Sequence, residues 1–398
     1  MITVEEATQF ISKTVKDTGI AIVPLPLAVG RVLREDLFAD RDFPPYHRIT
    51  MDGIAIRYDA FANGTRTFPI EGIAAAGAPQ MMMQNNDACL EVMTGAILPN
   101  NTDTVIRYED LHIENGKATI QLDKLTEGQN VHNKGEDRLQ GSLVVRKGKI
   151  ISPAEIGVAA TVGKAALKVS RLPKAIIIST GDELVEVDET PLAHQIRKSN
   201  VHRLRSTFTK YGIQAETHHL NDDWDEILQQ LKTILEEYEI VMLSGGVSKG
   251  KFDFLPDALK ELGVEKLFHK IKQRPGKPFW FGQAPSGATV FALPGNPVSS
   301  FMCTQVYFVP WLRQSLQLPL ENSPHAILQR DTLFKPDLVY FLQVKISYDN
   351  QGRILAMPVD GNGSGDLANL VDADAFLRLP RGRNEFKAGE IFPIVFYR

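Results

Sequence analysis

The sequence predicts a multi-domain fold of the α/β and β classes: a central doubly wound α/β domain, a discontinuous N-terminal domain, a small β-rich domain and a C-terminal β-domain. Three observations carry this expectation. Short apolar runs at 175–179, 240–243 and 289–293 read as buried strands of a parallel sheet, and helical patterns separate them. Residues 46–138 hold short apolar runs broken by turn pairs such as Asn63-Gly64, Asn85-Asn86, Asn100-Asn101 and Asn115-Gly116. The 398 residues also exceed the roughly 250–300 at which one hydrophobic core stops growing.

The elements follow in order. Thr3 with Glu6 three residues on forms a capping box, and Ala7, Phe10, Ile11 and Val15 continue at helical spacing. Between 20 and 45 the density of Pro24, Pro26, Pro44 and Pro45 suits a linker into another module. Residues 139–172 read as strand, turn, strand and helix, and are expected to pack back on 1–45 as one discontinuous domain around the β-rich segment 46–138. The α/β domain covers 173–316. In it, Trp224, Ile227, Leu228, Leu231, Ile234 and Leu235 line one face of an amphipathic helix, and another helix spans about 297–314. The tail, 317–398, alternates like a compact β-domain.

Composition excludes several function classes. With a net charge of −4 and a pI near 6.2, no global positive field holds a nucleic-acid backbone or an anionic membrane. The first residues lack the basic flank and apolar run of a signal peptide, and no apolar stretch approaches the ~20 residues of a membrane span, which reads as a cytoplasmic protein. Cys89 and Cys303 alone cannot make a disulfide framework or a cysteine zinc site, and read as buried thiols. His218 and His219 would point to opposite faces of a strand.

Open α/β sheets bind ligands beyond the carboxyl ends of their strands, so the residues that follow each apolar run are the places to look. After the first come Ser179-Thr180-Gly181-Asp182-Glu183. After 240–243 comes the loop Ser244-Gly245-Gly246-Val247-Ser248-Lys249-Gly250-Lys251, whose glycines let backbone N–H groups approach phosphate oxygens, although it lacks the Walker order. Asp222 and Asp223 precede the amphipathic helix, where acids commonly cap, and Asp253 follows the glycine loop. Glu183, Asp222 and Asp253 on one rim repel one another unless a cation intervenes, which points to Mg²⁺. Arg274-Pro275-Gly276-Lys277-Pro278 can present two cations to an oxyanion from a rigid turn, and Leu293-Pro294-Gly295-Asn296-Pro297 is a second proline-flanked turn. Alone, Thr50-Met51-Asp52-Gly53 and Met93-Thr94-Gly95-Ala96 read as turns.

In this order, with Gly135-Glu136-Asp137 and Val298-Ser299 added, these segments resemble the molybdenum insertase family, the molybdopterin molybdenumtransferases, which includes the bacterial enzyme and the C-terminal part of gephyrin. The resemblance runs nearly end to end. It implies a central domain of the molybdopterin-binding type and a homodimer whose active site lies between the α/β domain of one subunit and the second domain of the other. It implies insertion of molybdate into adenylylated molybdopterin with Mg²⁺-dependent release of AMP, and partnership with molybdopterin adenylyltransferase and molybdoenzyme-maturation proteins. The dithiolene sulfurs belong to the ligand, so two cysteines suffice.

The resemblance further implies catalytic roles for Asp52, Glu183, Asp222 and Asp253, the last three as Mg²⁺ ligands. Thr94, Thr180, Gly181, Ser244, Gly245, Gly246, Val247, Ser248, Pro275, Gly276, Lys277 and Asn296 would hold the molybdopterin substrate. Arg274, Pro294 and Pro297 would bind molybdate. The chain departs from the family pattern at Arg197-Lys198, at Asp374 and at the basic residues Lys249 and Lys251. The competing readings are a non-catalytic cofactor-binding or scaffolding paralogue and a molybdopterin adenylyltransferase, although members of the adenylyltransferase family typically lack the long N-terminal modules.

Overall fold

The computed structural model describes residues 1–247, 254–319, 323–361, 363 and 365–398. The chain forms two compact units: one of residues 1–34, 148–152 and 167–398, the other of 35–147 and 153–166. The stretch expected as one discontinuous N-terminal module is therefore shared between them. Bridges Val32 to Ile150 and Leu33 to Val169 tie its returning chain into the first unit. Pairing of Leu37–Phe38 with Leu143–Val145 ties another part into the second.

In the first unit, strands Glu216–Leu220, Ala175–Thr180, Ile240–Ser244 and Thr289–Leu293 lie side by side and parallel, and Trp280–Gln283 and Glu265–His269 extend the sheet antiparallel. The apolar runs are continuous because both faces are covered. Ile177, Ile240, Met242, Phe291 and Leu293 pack with the helices Val4–Lys13, Ser199–Lys210 and Pro297–Cys303. Ile176, Ile178, Val241, Leu243, Val290 and Ala292 turn the other way, onto the helices Trp224–Glu237 and Leu255–Glu261. Strand period two thus divides each run between two cores, as a doubly wound sheet requires.

The capping box holds at the N-terminus: the Thr3 hydroxyl accepts from Glu6 N (3.1 Å) and the Glu6 carboxylate from Thr3 N (2.7 Å). The helix expected over 297–314 is interrupted. A π-helical turn, Thr304–Phe308, joins Pro297–Cys303 to Val309–Ser315. Pro310 has no N–H to give the carbonyl four residues back, so the regular ladder cannot run through this point.

The C-terminal strands Val339–Tyr348, Ile354–Pro358, His325–Leu328, Ile391–Phe396 and Ala375–Leu379 pair in that order, and the last pairs back with the first. The sheet therefore closes on itself around Leu328, Val344, Ala356, Leu377 and Ile394, a barrel-like β-domain. The second unit is built on a six-stranded sheet ordered Thr104–Arg107, Gly53–Ile56, Cys89–Val92, Thr67–Ala74, Lys117–Ile120 and Leu111–Glu114. Among the described residues no helix is long and apolar enough to cross a membrane.

Candidate functional site

Parallel pairing fixes where the first unit can bind a ligand. Ser179 stands beside Ser244, and Ser244 beside Leu293, so the loops that follow these strands open at one sheet edge. There they enclose a cavity of about 570 Å³ lined by Thr180, Gly181, Glu183, Asp222, Gly245 to Val247, Pro294 to Pro297 and the segment Ile196–Val201. Its size and position match the crevice where α/β sheets take small ligands.

Two glycines shape the floor. Gly245 (φ 104°) and Gly246 (φ 67°) take backbone conformations that side chains rarely adopt. A Cβ on Gly245 would lie 3.2 Å from Thr180 Oγ1, and one on Gly246 would lie 2.6 Å from Leu255 Cδ1. The loop is therefore pressed against the first strand's end, and Gly245 N donates to Leu293 O at 3.1 Å. Gly181, at φ 118°, turns the chain so that the Glu183 carboxylate folds back over it, and a Cβ there would meet that carboxylate at 2.4 Å.

Asn200 ties three elements together. Its Nδ2 donates to Ser244 Oγ at 3.0 Å and to Gly295 O at 2.6 Å. The Lys198 ammonium, on the same segment, pairs with Glu186 at 2.6 Å and holds that carboxyl below the usual carboxylate range. The histidines split as strand geometry demands. His218 Nε2 meets the Gln230 carboxamide, whereas His219 Nδ1 is 2.9 Å from Ser179 Oγ, and burial lowers the His219 pKa.

The two aspartates before the long helix have separate roles. Asp223 is the N-cap, its carboxylate accepting from Glu226 N at 2.9 Å. Asp222 lines the cavity with Glu183. Asp253 and Ser248 lie outside the described residues, and among those described no group of three His, Cys, Asp or Glu side chains gathers into a metal site.

Not all expected site residues share this cavity. Pro294 and Pro297 line it, but Arg274 and Pro275 line a second hollow of about 260 Å³ with Val298, Tyr340, Gln343 and Gly361. Strand Gln273–Arg274 pairs with Val339–Tyr348 of the C-terminal domain, and this pairing carries Arg274 to the second hollow. Pro297 and Val298 are adjacent, so the two hollows are neighbours. Gly276 is buried, Lys277 is exposed, and Pro278 reaches the first cavity. Asp52 and Thr94 belong to the second unit and bond each other. Asn200 is a lining residue that no motif singles out, and Lys198 enters the sequence reading only as a departure from the family pattern. Asn200 makes its bonds to residues far away in sequence, which no local motif signals.

Comparison with known proteins decides the family. Residues 2–163 match the MoeA N-terminal region (domain I and II), 176–314 a probable molybdopterin binding domain, and 325–397 the MoeA C-terminal region (domain IV). The chain is 38% identical over 397 residues to a molybdopterin molybdenumtransferase of Synechocystis sp., covering 99% of both chains. The chain belongs to the molybdopterin molybdenumtransferase family. A Staphylococcus aureus family member is 30% identical over 402 residues, covering 99% of this chain and 95% of its own. A Pyrococcus horikoshii MoeA crystal structure superposes with a TM-score of 0.85 at 28% identity, covering 100% of this chain and 99% of the other. The three matched regions together span both units.

Proposed function

We propose that this chain inserts molybdate into adenylylated molybdopterin in molybdenum cofactor biosynthesis, with cleavage of the phosphoanhydride and release of AMP. The observation that carries the reading is the convergence of a glycine-built floor, at Gly245 and Gly246, with the carboxylates of Glu183 and Asp222 in one cavity. With the Gly245 N–H held by Leu293 O, the Gly246 N–H is the donor of this floor that suits a phosphate oxygen. Thr180, Gly181, Ser244, Val247, Asn296 and Ser248 hold the pterin phosphate and nucleotide portions.

Two carboxylate donors suit a hard divalent cation, so Glu183 and Asp222, with Asp253, are the residues that would hold Mg²⁺. When bound, Mg²⁺ offsets negative charge on the phosphoanhydride. The chain's own residues bind and orient. Pro294 and Pro297 shape the first cavity where it adjoins the hollow of Arg274 and Pro275, and the Arg274 guanidinium is the cation that receives molybdate there. Pro275, Gly276 and Lys277 hold the substrate from the intervening turn, and Asp52 and Thr94 act in the same reaction within a cytoplasmic homodimer of four-domain subunits, divided at about residues 45, 138, 172 and 316. Delivery from molybdopterin adenylyltransferase and transfer to molybdoenzyme-maturation proteins complete the proposal.

The test is AMP release from adenylylated molybdopterin by purified protein and Mg²⁺, with and without molybdate, with molybdenum transfer followed in parallel. Molybdate-dependent AMP release coupled to transfer is expected. Tight binding without AMP release would replace this reading with a cofactor carrier or scaffold.

A further inference from the structure

We propose that Arg203 is a positioning residue for the cavity: its guanidinium fork orients the Asn200 amide and the Pro297 carbonyl, and it keeps an unneutralised positive charge behind these two walls of the cavity. The charge part of this inference rests on the reading that the cavity takes a phosphorylated ligand.

Arg203 lies one helical turn after Asn200 on the helix Ser199–Lys210, so the two side chains share a face. Its Nη2 donates to Asn200 Oδ1 at 2.9 Å and to Ser300 Oγ at 2.6 Å, and its Nη1 to Pro297 O at 2.8 Å. The guanidinium lies over the Phe301 ring at 5.3 Å from the centroid, and its Nε is buried without a hydrogen-bond partner among the described residues. One planar group therefore grips both walls of the site, the helix that carries Asn200 and the turn that carries Pro297.

The orientation of Asn200 follows from this grip. Arg203 needs an acceptor and Gly295 O needs a donor, so only one arrangement of the amide satisfies both, with oxygen toward Arg203 and nitrogen toward Ser244 and Gly295. With Arg203 removed, the amide loses the partner that distinguishes its two ends, and the hydrogen bond that pins the 294–297 turn becomes optional.

The charge is the second half. Every partner of Arg203 among the described residues is neutral, and no carboxylate among them pairs with it. Burial pulls its pKa down to about 10, so it remains cationic at neutral pH. A buried cation whose field is not cancelled, bonded to the Asn200 and Pro297 that line the cavity, attracts an anion there more strongly than the same charge in water. Lysine could keep the charge but not the fork.

The experiment compares wild type, R203M, R203K and S300A. It follows AMP affinity by calorimetry at two salt concentrations, KM and kcat for adenylylated molybdopterin, melting temperature, and hydrogen exchange of residues 293–300. R203M is expected to weaken AMP binding and raise KM about tenfold with kcat within twofold, to flatten the salt dependence, and to speed exchange of the 293–300 turn. R203K is expected to lie between R203M and wild type in affinity, while S300A stays near wild type. Wild-type affinity and exchange in R203M would overturn the proposal, as would an affinity loss that follows a lowered melting temperature and is not eased by R203K. If wild-type protein binds no AMP, the phosphorylated-ligand reading and the charge role fall with it, while the exchange comparison still decides positioning. Unchanged exchange in R203M then rejects that as well.

Discussion

One carboxylate oxygen of Asp52 takes both polar hydrogens that Thr94 offers: the backbone N–H at 2.6 Å and the hydroxyl at 2.8 Å. These two bonds hold the Asp52 carboxyl below its ordinary value. Because the folded-state pKa lies below the unfolded one, the stabilisation is complete above the unfolded value and disappears as the pH falls through the folded value. Thr94→Val removes the hydroxyl bond and leaves the backbone bond. The Asp52 carboxyl is expected to titrate at higher pH in this variant, and acid unfolding to begin at higher pH. Carboxyl NMR titration of both proteins checks the first, and a circular dichroism pH series the second. An unmoved Asp52 titration would show that the hydroxyl contributes nothing.

Gly246 cannot accept a side chain without displacing its neighbours. Its φ of 67° already strains any other residue, and a Cβ would fall 2.6 Å from Leu255 Cδ1 and 3.0 Å from Thr180 Oγ1. Gly246→Ala is expected to cost about 1–3 kcal/mol in stability and to deform the cavity floor. Urea unfolding gives the first and AMP titration the second, and native stability together with wild-type AMP affinity would refute the packing argument.

The cysteines should be silent in the folded protein. Burial pushes the Cys89 thiol up to about 12, with Glu91 and Glu71 adding to the rise, and burial raises Cys303 as well. Thiolate is the reactive form, so a chromogenic thiol reagent at neutral pH is expected to find almost no reactive thiol until denaturant is added, and then two. Rapid labelling of either residue in native protein would contradict the buried placement.

Elements whose pattern is local were legible in the sequence, and those set by distant partners were not. The stripe from Trp224 to Leu235 is the buried face of the helix Trp224–Glu237 because 3.6-residue periodicity needs no tertiary information. The three apolar runs became strands with both faces covered, and the crevice at their carboxyl ends followed from parallel pairing. The π-helical turn at Thr304–Phe308 has a sequence signal in Pro310, but apolar spacing that continues through it reads as one helix. Arg274 was expected beside Pro294 and Pro297, yet its strand pairing with Tyr340 places it at the adjoining hollow. Asn200 escaped notice for a related reason, since Gly295 and Ser244 reach it only through the fold.

Asp222 and Asp223 look alike in sequence, and the structure makes them separable by experiment. Asp223 accepts from Glu226 N as the helix cap, and loss of such a cap costs about 1 kcal/mol. Asp222 lines the cavity, as does Glu183. Asp223→Ala is therefore expected to lower the melting temperature by a few degrees while AMP release continues at the wild-type rate. Asp222→Asn leaves the cap intact and should keep wild-type stability, but reduce AMP release at least tenfold, because a carboxylate suited to a divalent cation has been replaced by a neutral amide. A Mg²⁺ titration of turnover sharpens the distinction: Asp222→Asn should require more Mg²⁺ to reach half-maximal rate, and Asp223→Ala should not. If the two variants exchange these behaviours, the assignment of cap and cavity residue is reversed. If Asp222→Asn retains full turnover, Asp222 has no part in the chemistry.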